Sequence, residues 1–285
     1  MRRARSSARL AIRHVTGFVY DGRVESSFNE ARMTPLTSER QHVLEASLVT
    51  DPGASQLTYL DYFGTAVTAF DLHEPHERLE VTATSTVEVY ELEQDRSPYA
   101  LSDLTDARLG DEFAEYVVAT PRTSLPPPLR DSLRDETRGA DVREVVARVS
   151  EHVRAHVAYV TGSTHVTTTA YEAWLQGAGV CQDLSHVTIA FLRGLGVPAR
   201  YVSGYLHPHA DAALGQMVEG QSHAWVEYYA GEWVGVDPTN GEEIGLHHVV
   251  VARGRDYGDV PPLKGVYRGA PSRALGVSVE IARVA

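Results

Sequence analysis

Three features of the sequence predict an α+β fold with an all-β N-terminal half. In "LEVTATSTVEVYE", Leu79, Val81, Ala83, Val87 and Val89 alternate with Glu80, Thr82, Thr84, Thr86 and Glu88. A period of two leaves one face buried and one solvated, as in an antiparallel sheet. Further on, Val142, Val145, Val146, Val149, Val153 and Val157 fall on one helical stripe. Finally, "QDLSHVTIAFLRGLG" is apolar nearly all round, which marks a central buried helix, and strand-like segments follow it.

In chain order, residues 1–95 read as a β-rich domain, with "ARLAIRHVTGFVY" and "SQLTYLDYFGTAVTAFDL" as less regular strands. Residues 96–132 read as a connector. Its "TPRTSLPPPLRDS" is too rich in proline to continue a helix or a central strand. Residues 133–285 form the second domain. Asp141 is placed to cap the valine helix. The apolar helix should start at Cys181 and stop at Gly194, Gly196 and Pro198. Strands are expected at "ARYVSGYL" (199–206), "SHAWVEYY" (222–229) and "EWVGVDP" (232–238), then further strands joined by glycine and proline turns. "HPHAD" (207–211) reads as an exposed loop.

Composition narrows the function classes. A net charge of −12 among 285 residues argues against nucleic acid and against an anionic membrane surface. The basic "MRRARSSARLAIRHV" is interrupted by Arg9 and Arg13 before it can form a signal peptide's apolar run, and no segment has the length of a membrane span. The one cysteine allows no internal disulfide. The expectation is a cytoplasmic protein whose partner is a peptide or protein substrate; oligomeric state is not legible.

That cysteine sits in "GAGVCQDLSH" at the start of the buried helix. There the unpaired N–H groups of the first turn and the helix dipole favour a thiolate. A free cysteine is also a common small core hydrophobe, so position alone leaves both roles open. A nucleophile needs a base, and the base an orienting group. If the strands at 222–229 and 232–238 form a hairpin around Tyr229-Ala230-Gly231, His223 falls opposite Asp237 and Trp225 opposite Gly235. Cross-strand partners on one face lie about 4.5–5.5 Å apart at Cβ, within reach of an imidazole–carboxylate hydrogen bond. Singly, His223 reads as a core histidine and Asp237 as a turn residue; together with Cys181 they read as a catalytic set.

The blocks "GAGVCQDLSHVTIAFLRGLGVPARYVSGYL", "SHAWVEYYAGEWVGVDPTNG" and "GRDYGDVPPLKGVYRG" resemble the bacterial transglutaminase-like proteins, whose core is related to papain-type cysteine proteases. "SSFNEARMTP" and "HEPHERLEV" resemble the β-rich N-terminal domain that often precedes that core. The resemblance implies a papain/transglutaminase-like core, with a Cys-bearing helix packed on an antiparallel sheet. It also implies a Cys181–His223–Asp237 triad and a thioester acyl-enzyme formed from an amide, without metal or other cofactor. The family's usual Phe-Ala appears here as Leu184-Ser185. Hydrolysis is favoured over cross-linking because many members of the superfamily are hydrolases.

Around the triad, Gln182, Trp174 and Tyr171 are candidates for substrate or oxyanion contacts. Trp225 and Gly235 are structural neighbours. His186 lies five residues after Cys181, about 140° away around the helix, and is expected to be structural. Two rival readings remain. One is a non-catalytic binding module. The other is a metal site drawing on Cys181, acids and the histidines His186, His207, His209, His223, His247 and His248, although no CxxC or HExxH spacing is present.

Overall fold

The computed structural model describes residues 4–208 and 213–285. Its first sheet is organised on β1 (Ala4–Ala31), a strand of 28 residues. Four strands follow: β2 (Gln41–Asp51), β3 (Gln56–Leu60), β4 (Ala66–Leu72) and β5 (His76–Leu92). The alternating segment forms β5, with Leu79, Val81, Ala83, Val87 and Val89 buried. It runs antiparallel to β1 from Leu92 opposite Ala4 to Arg78 opposite Val19, and β2 lies on its other side. The far end of β1, Ser27–Ala31, pairs instead with β4, which carries β3.

The connector holds three short helices, α1 (Ala107–Glu112), α2 (Ala114–Val117) and α3 (Pro127–Arg130). Then come α4 (Val142–His156), β6 (Ala158–Tyr159), α5 (Ala170–Gln176), β7 (Ala178–Gly179) and α6 (Cys181–Gly194). The Asp141 side chain accepts from Glu144 N–H at 3.0 Å and caps α4, and the valine stripe is buried. Each such valine contributes roughly 1.5–3 kcal/mol of apolar burial. Helix α6 is buried from Gln182 to Arg193. Arg193 fastens the connector to it, donating to the carbonyls of Tyr116 and Val118 and to Thr123 Oγ1.

The second sheet contains β8 (Ala199–Leu206), β10 (Gln221–Tyr229), β11 (Trp233–Asp237), β12 (Glu242–Glu243) and β13 (His248–Gly254), in the order β12-β11-β10-β8-β13. Its residues Ala224, Val226 and Tyr228 share one core with the α4 valines, with Leu184, Val187 and Phe191 of α6, and with Leu10 and Ile12 of β1. A buried side chain joins the sheets: Gln41 Nε2 donates to Val250 O at 2.7 Å, and Gln41 Oε1 accepts from Val250 N–H at 2.8 Å. It serves β13 where the strand's register shifts between Val250 and Ala252.

The division of the chain at residue 133 does not coincide with the division into sheets. The remaining strands, β9 (Met217–Glu219), β14 (Leu263–Gly269), β15 (Ser272–Ala274) and β16 (Ser278–Arg283), all join the first sheet, three of them directly on β1. A strand as long as β1 has an open edge after pairing with β5, and the end of the chain fills it. His207, expected in an exposed loop, is buried, while His209 and Asp211 lie outside the described residues. Among the described residues no helix is long and apolar enough to cross a membrane.

Candidate active site

The turn that carries Cys181 is built from its own neighbours. Strand β7 pairs in parallel with β6, Tyr159 opposite Gly179, which fixes the approach to the helix. Val180 is the N-cap residue, and its N–H donates to Asp183 Oδ2 at 2.8 Å. Thr164 Oγ1 donates to the same oxygen at 2.6 Å. Asp183 therefore closes the first turn from within, a role suited to a carboxylate near a helix N-terminus. The chain must carry glycine at 179, because a Cβ there would come within 2.6 Å of Asp183 Cβ.

Cys181 is half-buried and acts electrostatically on His223, whose side chain is 2% exposed. His223 Nε2 donates to Asp237 Oδ2 at 2.7 Å, which leaves Nδ1 for the sulfur. Burial opposes a charge on His223. The hydrogen bond to Asp237 and the negative charges of Asp237 and Cys181 outweigh it and raise the imidazole to about 10. Asp237 is fully buried, which by itself would raise its pKa. Its bonds to His223 and His248 hold it well below the usual carboxylate range instead.

The hairpin that brings His223 to Asp237 differs from the expected one by two residues. Tyr229 pairs with Trp233, Tyr228 with Val234 and Glu227 with Gly235, so the loop is Ala230-Gly231-Glu232. Gly231 has φ +81° in the middle of that loop. Pairing two aromatic residues is preferred over pairing Tyr228 with Glu232, and Phe113 packs on both rings, 4.5 Å from Tyr229 and 5.2 Å from Trp233. A shift of two keeps every side chain on its face. His223 and Asp237 thus meet as diagonal neighbours instead of direct partners. Gly235 is covered by Ile244, not by Trp225; Trp225 lies over Gly204.

The other sequence candidates divide. Gln182 is beside the cysteine and nearly buried, its Nε2 3.4 Å from Val166 O. Tyr171 is exposed on α5. Trp174 is not at the site: it stacks on His156 at 3.7 Å between ring centroids and packs on Phe191. Phe191 is ten residues along α6 from Cys181, about 15 Å by helical rise. Proximity in sequence misled here, because α5 turns its tryptophan toward α4. His186 is fully buried and accepts from Tyr257 N–H at 3.1 Å, with burial lowering it to about 3. It holds the turn at Tyr257–Asp259 and remains neutral.

Asn240, Tyr159 and Tyr201 escaped the sequence reading, and His248 entered it only as a candidate metal ligand. Asn240 and His248 both reach Asp237 Oδ2, at 2.7 and 3.4 Å. Tyr159 and Tyr201 lie within electrostatic range of Cys181. Each is raised by burial first and by the cysteine's negative charge second. Residues 239 and 240 follow "VDP" directly, and an Asx-type turn at Asp237 could have pointed to them. Among the described residues, the one His/Cys/Asp/Glu group with metal-ligand proximity is Glu242, His247 and His248, which excludes Cys181. Both His248 nitrogens are already engaged, by Gly245 N–H and by Asp237.

Residues 10–88 match the bacterial transglutaminase-like N-terminal region, and residues 131–238 match the transglutaminase-like superfamily. An uncharacterized protein of Mycobacterium leprae is 41% identical over 277 residues, covering 97% of this chain and 99% of its own. A protein-glutamine gamma-glutamyltransferase of Pseudomonas aeruginosa is 34% identical over 105 residues, 33% of this chain and 15% of that protein. In overall fold the chain is similar to a crystal structure from Cytophaga hutchinsonii described as a candidate cysteine protease. The TM-score is 0.78 at 21% identity, covering 100% of this chain and 93% of that one.

Proposed function

The chain belongs to the transglutaminase-like superfamily, with the bacterial N-terminal region of that family, and from that premise we propose that it is a cysteine-dependent hydrolase of amide bonds in a peptide or protein. One observation carries the reading: buried His223 donates to a fully buried Asp237 at 2.7 Å, and its pKa is raised, against burial, by Asp237 and by Cys181, which stands at the first turn of a buried helix. This is the arrangement a thiol nucleophile needs, with base and orienting group in series.

The Cys181 sulfur attacks the amide carbonyl carbon, and the oxygen takes the charge. The backbone N–H of Cys181 would be the first donor to that oxygen. As the C–N bond breaks, His223 gives its Nδ1 proton to the leaving amine, and a thioester remains on Cys181. Water then attacks the thioester carbon, His223 takes the water's proton, and the acid leaves with the thiol restored. Asp237 keeps the imidazole oriented throughout and carries no proton itself.

Transfer to an amine is the second reading, favoured by the activity for which the Pseudomonas aeruginosa relative is named. It differs only in the species that attacks the thioester. Incubation with a glutamine-containing peptide and a small primary amine separates the two. Glutamate product alone supports hydrolysis; a stable amine adduct means transamidation. An acyl group trapped on Cys181 and located by mass spectrometry supports both against a binding module. A thiol inert to every acyl donor tested would favour the binding module.

A further inference from the structure

Asp237 has more partners than orienting one imidazole requires. Oδ1 accepts the backbone N–H of Thr239 at 2.9 Å and of Asn240 at 3.2 Å. Oδ2 accepts His223 Nε2 and Asn240 Nδ2, each at 2.7 Å, and lies 3.4 Å from His248 Nε2. The tautomer of His248 follows from a backbone group. Gly245 N–H donates to His248 Nδ1 at 3.1 Å, so Nδ1 presents its lone pair and the ring hydrogen sits on Nε2, toward Asp237.

The ring is held on its other sides as well. Its side chain is 0% exposed, and it lies edge-on to Trp225 at 5.3 Å between centroids. The titratable and charged groups facing it are Asp237 and, at 6.4 Å, His223; His247 at 4.6 Å; and Glu242 beyond His247.

We propose that His248 is a positioning residue for the chemistry at Cys181: an N–H donor, its other nitrogen held by Gly245, that fixes Asp237 Oδ2 toward His223. The proposal rests on the Cys181–His223–Asp237 reading. A fully buried carboxyl that loses one donor on Oδ2 is freer to protonate or to rotate, and either loosens its hold on His223. A cationic donor such as lysine would hold the anion but would repel the imidazolium beside it. Neutral imidazole avoids this, and burial keeps it neutral, lowering its pKa against the pull of Asp237. The donor arrives from the first residue of β13, a strand that Gln41 braces from the other sheet.

Alkylation of Cys181 by iodoacetamide at about pH 6, where an isolated thiol is almost wholly protonated, tests this on the whole chain without a known substrate. His248→Leu, which removes the donor at similar volume, should slow labelling roughly 10- to 100-fold, the span expected for one lost hydrogen bond to a charged group. His248→Gln, which restores an N–H at the same reach, should return most of the rate. Equal rates for His248→Leu and wild type, or equal slowing by leucine and glutamine, would overturn the role of His248. If His223→Ala also leaves labelling unchanged, the Cys181–His223 reading itself fails, and the proposal with it. Should the leucine variant not fold, 15N-histidine spectra of the wild type decide. His248 protonated on Nδ1, or titrating near neutrality, overturns the assignment; an Nε2–H tautomer that persists across that range supports it.

Discussion

His223 and Asp237 meet at 2.7 Å although the hairpin places them two residues out of register. Their contact is therefore a product of side-chain reach along one face, and it leaves a signature in pH. His223 is raised from 6.5 to about 10, so its contribution to stability is complete below 6.5 and is lost as pH rises through 10. Asp237 is depressed from 3.8, so its contribution is complete above 3.8 and is lost as pH falls further. Melting temperatures of wild type and His223→Ala should differ most between pH 4 and 6.5 and converge, apart from a constant offset, above pH 10. A difference that does not change between pH 5 and 11 would contradict the pairing.

Cys181→Ala should abolish acyl transfer and hydrolysis while leaving the protein folded. The residue is half-buried, and truncation to alanine removes only sulfur, a loss of about 1 kcal/mol. Asp237→Asn should lower turnover by orders of magnitude but less than loss of the thiol, because it favours the wrong imidazole tautomer. Full activity in the alanine variant would refute the assignment.

Gly179→Ala tests whether the cap of α6 sets the position of the thiol. The added Cβ must displace Asp183 from the Val180 N–H and from Thr164. Overpacking of this kind costs about 1–3 kcal/mol. Turnover in the folded fraction should also drop, since the first turn moves with its cap. A variant that is destabilised but fully active per folded molecule would separate the cap from the chemistry.

Glu227 offers a test of stability alone. It is buried on β10 and bonded to Arg200 Nε at 2.7 Å and to Arg253 Nε and Nη2 at 2.8 and 3.0 Å. Burial raises its pKa, but the two guanidiniums overcome burial and hold it far below 4.5. Glu227→Gln should cost roughly 3–5 kcal/mol near pH 7, as expected when one partner of a buried ion pair is lost. Because the folded pKa is depressed, this advantage is present above 4.5 and shrinks as pH falls below it. Equal denaturation midpoints at pH 7 would show that the arginines are satisfied without the carboxylate.

What the sequence revealed follows from the range of the interactions involved. The valine stripe with its Asp141 cap and the alternation of β5 are local patterns, and their residues are buried as expected. The hairpin was legible as to face but not register, because parity survives a shift of two while the choice of last rung depends on Phe113, more than a hundred residues earlier. His248 reads in isolation as one of many histidines. Only folding sets its Nε2 beside Asp237 and supplies Gly245 N–H to its other nitrogen. Trp174 shows the reverse error, close in sequence to Cys181 and turned away from it.

The long first strand has a consequence for the order of assembly during synthesis. Arg13 and Glu280 are ladder partners 267 residues apart, so β1 waits for a strand made 267 residues later. Such distant pairing makes closure of the first sheet slow. Until β16 emerges, one edge of β1 stands open to other chains, a known route to aggregation. Strand β13, two of whose backbone N–H groups donate to Gln41 and Thr65, is made within the interval between those two events. A nascent chain stalled before residue 278 would therefore carry Cys181, His223 and Asp237 already synthesised on a scaffold whose first sheet is unfinished. Arresting translation there should yield a product that is protease-sensitive across β1, and release of the last strand should be the step that confers resistance.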